Sequence, residues 1–269
     1  MEARPTLVEI FKGVCGFCEK NSLEFPPTSG RPSILSFAQL LTLKIFWELS
    51  RVKDFKTFYH GPLRKILAEF FPKLPEYSGI MKRLPRFWEI LENAFKDKKH
   101  HGKFIIDSTP VRLCLRVRLK RFKTMREAMG IAVSSTKKVC GFKVHVVTDI
   151  KGKKVVNFCF SKGSSHDANH LEEVFQGCSG CAIGDSGYVS KEKAERMKKH
   201  HLKFIAKARK NTKRQSAKKE KQLLKNRFRI ENFNQKLKSL VGEDFSRFRT
   251  WAAAKAVIGV AMVAINLGF

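Results

Sequence analysis

A chain of 269 residues can bury a full core, as one large domain or two modest ones, and the pattern below favours two. Its formal net charge of +30 is far beyond what solubility requires and points to a polyanionic partner, nucleic acid before a membrane surface. The start Met1-Glu2-Ala3-Arg4-Pro5 lacks the basic, apolar, small-residue succession of a signal peptide, and no polybasic segment flanks a convincing span, so a cytoplasmic, nucleoid-associated protein is expected.

Seven cysteines are an odd set, and without an export signal reduced thiols are the default. The pairs Cys15/Cys18 and Cys178/Cys181 can share one zinc ion or pack as small buried hydrophobes; their wide separation favours packing.

In chain order, residues 33 to 95 read as helical. Ser33 or Ser36 can cap a first helix in which Phe37, Leu40, Leu41, Ile45 and Leu49 recur near helical spacing. A second is expected from about Asp54 to Phe70, breakable at Gly61-Pro62 and ended by Pro72, and a third from Leu84 to Phe95. Such a bundle is either a helix-turn-helix DNA reader or simply packed helices. The polar run from Lys96 to His101 marks a linker, which sets a helical domain over residues 1–99 and a second domain over 100–269.

The stretch His101 to Pro110 then reads as a buried strand that delivers Asp107 and stops at Pro110. From Val111 to Arg121 apolar and basic residues alternate. An extended segment there would put Arg112, Arg116, Arg118 and Lys120 on one cationic face, a track for phosphates. Strands over 139–149 and 153–160 form a hairpin with Gly152 in its turn. Ser165-His166-Asp167 can cap a helix to Phe175, a strand ends at Asp185, and a helix from Lys191, a short strand at 203–207 and a long helix from Gln222 to Leu240 follow. The alanine-rich stretch from Trp251 to Phe269 is shorter than the ~20 apolar residues of a membrane span and is expected to be a core helix.

This order predicts an α/β fold, a ribonuclease-H-like mixed five-stranded sheet flanked by helices and preceded by a small all-α domain. Asp107 and Asp185 would emerge side by side on adjacent strands, and a passing helix can bring Glu231. Three carboxylates in one place repel unless cations neutralise them, and hard oxygen ligands select two Mg²⁺ or Mn²⁺ ions. A phosphate loop of the type Gly-x-x-x-x-Gly-Lys-Ser/Thr is absent, which leaves ATP-driven chemistry without a site. Several other residues carry two readings. Asp167 with His166 either lies near the metals or caps a helix, and Tyr188 either stacks on a base or packs. His145 is read as a partly buried strand residue, and the basic run from Lys207 to Lys225 as a solvated loop or a non-specific DNA contact.

Five stretches, in order and spacing, resemble the DDE transposases of bacterial insertion sequences, in the branch typified by insertion sequences four and nine-eighty-two. They are Ile106-Asp107-Ser108-Thr109-Pro110, Gly141-Phe142-Lys143-Val144-His145, Gly163-Ser164-Ser165-His166-Asp167, Gly184-Asp185-Ser186-Gly187-Tyr188, and Arg227-Phe228-Arg229-Ile230-Glu231 with Lys238. The resemblance covers residue 100 onward and implies that Asp107, Asp185 and Glu231 are catalytic metal ligands. It further implies that Arg227 and Lys238, near one helix face with Glu231, grip phosphates; the family's tyrosine on this helix is replaced by Leu224. The function implied is that of a transposase that binds the terminal repeats of its element as double-stranded DNA, hydrolyses the phosphodiester at each end and joins the 3′-hydroxyls to target DNA. A homodimer on DNA is consistent with pairing two ends. The alternatives are a catalytically inactive transposase-derived DNA-binding protein and a nuclease that cuts without joining.

Overall fold

The computed structural model describes residues 5–27, 33–52, 54–61, 64–71, 73–96, 98–133, 138–207, 218–242 and 248–269. The chain divides into two compact units, Met1–Ala94 with Ala252–Phe269, and Phe95–Trp251.

The first unit is helical. Its α1 spans Leu7–Lys20 and α2 spans Phe37–Ser50, each started by a capping box. Thr6 pairs with Glu9 in the first and Ser36 with Gln39 in the second, so orphan N–H groups at each helix start are satisfied reciprocally. Helix α3 (Phe55–His60) and α4 (Arg64–Phe70) divide the segment read as one breakable helix, whose prolines 62 and 72 lie outside the described residues. Helix α5 (Tyr77–Lys96) starts a turn or more before Leu84 and carries Pro85 inside it. The last helix of the chain, Trp251–Leu267, belongs with these helices rather than with the sheet. It is buried on every side from Ala256 to Ile265, and Gly259 lets it approach Trp88 and Leu91 of α5. Among the described residues no helix is long and apolar enough to cross a membrane.

The second unit holds a six-stranded sheet: β1 (His100–Cys114), β2 (Gly130–Val133), β3 (Lys138–Asp149), β4 (Val155–Lys162), β5 (Cys178–Gly184) and β6 (Leu202–Ala206). Five strands run in the order β4-β3-β1-β5-β6. Strand β1 is antiparallel to β3 and parallel to β5, and β5 is parallel to β6. This is the expected ribonuclease-H-like sheet, to which β2 adds a short sixth strand on the end of β3. Strand β1 does not stop at Pro110 but runs on to Cys114. Its parallel pairing with β5 ends at Ile105, so Pro110 lies where only β3 pairs with β1 and the missing donor is tolerated.

The hairpin forms as read. Gly152, at φ +67°, closes the β3–β4 turn, and Asp149 Oδ1 accepts from the backbone N–H groups of Lys153 and Lys154. One sheet face is covered by a 3-10 turn at Asp167–His170 and α6 (Leu171–Val174), with Phe104, Ile106, Val147, Val156, Leu171 and Val174 among the buried cluster beneath. Helix α7 (Lys191–Lys199) leads to β6. The expected long helix is broken: α8 (Lys218–Leu224) and α9 (Phe228–Val241) are separated by a 3-10 turn at Lys225–Arg227. The final helix of the first unit, Trp251–Leu267, is α10 in chain order.

Candidate active site

The parallel ladder of β1 and β5 closes on Ile105 opposite Ile183. Asp107 and Asp185 both lie two residues beyond that rung, past the end of the β1–β5 ladder at the carboxyl ends of the paired segments. Gly184 makes the exit possible: a Cβ there would come within 2.8 Å of Ile106 Cγ2 and 2.9 Å of Phe204 Cζ. Helix α9 packs on β1 and supplies the third acid and Asn234, and the 3-10 turn that leads into it supplies Arg227. Arg227 lies 3.2 Å from Glu231 Oε1 and 3.9 Å from Asp185 Oδ1. Asn234 donates from Nδ2 to Asp107 Oδ2 at 2.9 Å. Positions 227, 231 and 234 fall on one helix face, so one helical stripe holds all three carboxylates. Lys238 continues that stripe one turn on, partly buried.

Burial is the largest influence on Asp107, and it raises the carboxyl to about 6; Asp185 and Asp167 add to the rise, while the Ser108 N–H and Arg227 oppose it. The buried Asn234 Oδ1 has no hydrogen-bond partner among the described residues. An all-oxygen donor set, a desolvated carboxylate and an orphaned acceptor beside it fit a hard divalent cation with its water shell.

Beneath the acids a second set of polar groups locks the neighbouring strands. Asp167 accepts from Ser108 Oγ at 3.0 Å and pairs with Lys143 Nζ at 2.7 Å, and Lys143 also donates to the Ser165 carbonyl. The helix-cap reading of Asp167 is therefore corrected: the cap is His166, whose Nδ1 accepts from the Ala168 N–H at 3.3 Å. Asp167 is committed to Ser108 and Lys143 instead. Tyr188 is 1 % exposed and packs, which removes the base-stacking reading. Its hydroxyl faces His145 Nδ1 at 2.9 Å, and His145 Nε2 faces Ser161 Oγ at 2.8 Å, so His145 is fully buried rather than partly so.

The cationic strand face is also corrected. β1 ends at Cys114, and Arg116–Arg121 form a 3-10 turn. The ladder with β3 ends opposite Cys140, and an extended segment without a neighbour has no ladder to satisfy its backbone. Arg112 stays on β1, partly buried, while Arg116, Arg118 and Lys120 fan out from the turn into solvent. Of the basic run before α9, residues 208–217 lie outside the described residues. Sequence reasoning quoted Lys143 within a motif without giving it a role, and passed over Asn234 and a basic groove where Lys151 and Lys153 of the hairpin meet Arg229 of α9. Asn234 was findable, because it falls three residues after Glu231 on a helix and so shares its face.

A mixed sheet of this order, with three acids gathered where its central strands part, defines the ribonuclease-H-like class of fold. Residues 97–251 match the family described as transposase DDE domain, more than half of the chain, and the protein belongs to that family, whose members act in DNA transposition. The structure is also similar to that of the piggyBac transposase, solved by cryo-EM as a synaptic complex with hairpin DNA. The TM-score is 0.51 at 11% identity, over 97% of this chain and 72% of that one, a likeness of fold. No curated protein matches the chain.

Proposed function

We propose that this protein is the transposase of a bacterial insertion sequence, which binds the ends of its element as double-stranded DNA, hydrolyses a phosphodiester at each end and joins the freed 3′-hydroxyls to target DNA. The observation that carries the proposal is the convergence of Asp107, Asp185 and Glu231 through Arg227 and Asn234 at the parting strands β1 and β5. These three acids would hold two Mg²⁺ or Mn²⁺ ions. Bound there, the ions supply activation of a water or 3′-hydroxyl and stabilisation of the leaving oxygen.

The chain's own residues do the rest. Asn234 fixes the rotamer of Asp107, and Arg227 spans Asp185 and Glu231, holding both until a phosphate competes for its guanidinium. Lys238, on the same stripe, extends the grip along the strand. Arg112, Arg116, Arg118 and Lys120 contribute phosphate contacts beside β1, and the net charge of +30 supports a long DNA footprint in the nucleoid. Two ends must be held at once, which favours a homodimer on DNA.

The test is cleavage of a duplex bearing the element's ends with divalent metal present. Asp185→Ala is expected to abolish cleavage and strand transfer while end binding in a gel-shift assay survives. Intact protein that binds ends yet neither holds metal nor cuts would instead be a transposase-derived DNA-binding protein.

A further inference from the structure

A second set of ligand-type side chains lies under α6, apart from the three acids. Cys159 of β4 points into the core with 3 % exposure, His170 ends the 3-10 turn that precedes α6, and Glu173 is on α6 itself. Their ligand atoms all lie within 4.8 Å of one another. We propose that Cys159, His170 and Glu173 form a zinc site that staples the segment Asp167–Val174 to strand β4.

The spacing carries the argument first. His170 Nδ1 and Glu173 Oε2 are 3.4 Å apart. Two ligand atoms bonded at 2.0–2.1 Å to one tetrahedral ion stand about 3.3 Å from each other, so this pair already has the separation that zinc imposes. The surroundings of His170 carry it further. Its other nitrogen, Nε2, is 2.8 Å from Ser165 Oγ, and an Nε2–H donated there leaves Nδ1 with its lone pair toward the cluster. The His145 ring lies along the His170 ring at 4.9 Å and 27°, which fixes its plane. In that tautomer His170 would be oriented by an outer hydrogen bond and would present its Nδ1 lone pair to the thiol and the carboxylate, as metal-ligating histidines do; without an ion the same Nδ1 can hydrogen-bond Glu173.

The donor types choose the ion. Sulfur and imidazole nitrogen disfavour Mg²⁺ and suit Zn²⁺, and three protein ligands leave the fourth tetrahedral position to water on the exposed Glu173 side. The role that follows is positional. The stapled segment is a single 3-10 turn and a four-residue helix, too short to hold itself. It carries Asp167, three residues before His170, which holds Ser108 next to Asp107. The site stands on its own geometry, independent of whether the three acids cut DNA.

The experiment uses the full-length protein, stripped with a chelator, dialysed and titrated with Co²⁺ and Zn²⁺. One equivalent of Co²⁺ is expected to give the intense thiolate-to-cobalt band in the near ultraviolet together with tetrahedral visible bands, both displaced by Zn²⁺. Cys159→Ser should remove the charge-transfer band. Because Cys159 is buried, the partly exposed positions provide the safer readout: Glu173→Gln and Ser165→Ala are expected to weaken Co²⁺ binding by about tenfold or more with the fold intact by circular dichroism. Cys181→Ser and Asp185→Ala should leave the band unchanged. Absence of the band in the wild type, or a band that survives His170→Asn and Glu173→Gln, would overturn the site; loss of the band in Cys181→Ser would move it to the Cys178/Cys181 pair.

Discussion

His145 shows what burial does to a titratable side chain in this sheet. Desolvation pushes its pKa down to about 4, with His170 and Lys143 pressing in the same direction and Asp167 and Glu173 opposing them. The sign follows from linkage. Above the ordinary imidazole range the ring is neutral folded or unfolded; as pH falls below about 6.5 the unfolded chain takes up a proton that the folded one refuses. Stability that is fully present at pH 7 is therefore lost on the way down to pH 4, by about 2 kcal/mol between pH 7 and pH 5 from this residue alone. Urea unfolding at the two pH values checks it. The difference should shrink by that order in His145→Gln, whose amide cannot titrate. At the same scale Asn234 shows how an uncharged side chain can order a charged one: its amide hydrogen bond to Oδ2 orients the Asp107 carboxyl.

Helix α2 holds a polar pair where its neighbours are apolar. Lys44 and Glu48, one turn apart, are 2 % and 5 % exposed, with the Lys44 ammonium over the rings of Trp47 and Phe55. Burial lowers the lysine and raises the glutamate, each offset by the other's charge. Removing one partner strands the other. Glu48→Ala is expected to cost about 3–5 kcal/mol in denaturant unfolding, whereas the double change Lys44→Met with Glu48→Leu should be neutral or stabilising. A double change as costly as the single one would mean that the pair contributes net stability. The pair also marks a limit of reading from sequence. A serine cap at Ser33 or Ser36 and the apolar spacing made α2 legible, but nothing local said that Lys44 and Glu48 face inward. The α1 signal was present as Thr6-x-x-Glu9 and was passed over. Whereas Glu231 was singled out through the family resemblance, the strands that lead to Asp107 and Asp185 and the β3–β4 hairpin were legible because apolar runs ending in acids and a glycine turn are local features. The end of β1 at Cys114 and the break before α9 were not. Each depends on where a neighbouring element stops, which no window of the sequence contains.

At the scale of the whole molecule charge governs the encounter with DNA. A protein with net charge +30 binds nonspecifically through counterion release, and its affinity should fall steeply and linearly on a plot of log affinity against log salt. Replacing Arg116, Arg118 and Lys120 together by alanine removes exposed cations from a 3-10 turn that packs nothing of its own. The slope should become shallower by up to about 3, at roughly 0.9 per phosphate contact, with little change in melting temperature. Fluorescence anisotropy on duplex DNA across a salt series measures it, and an unaltered slope would place the phosphate contacts elsewhere.

The last helix, α10, joins the unit that begins the chain, so the sheet is an insertion within the helical unit's sequence. The consequence is temporal. During synthesis the first five helices emerge early yet lack the segment that fills their centre, while the whole sheet can pair and close before that segment leaves the ribosome. The helical unit is completed last. Until then apolar surfaces on both parts of it wait uncovered, a window in which a chaperone would have its natural substrate. A transcript cut short before Trp251 would yield a finished sheet attached to an unfinished partner.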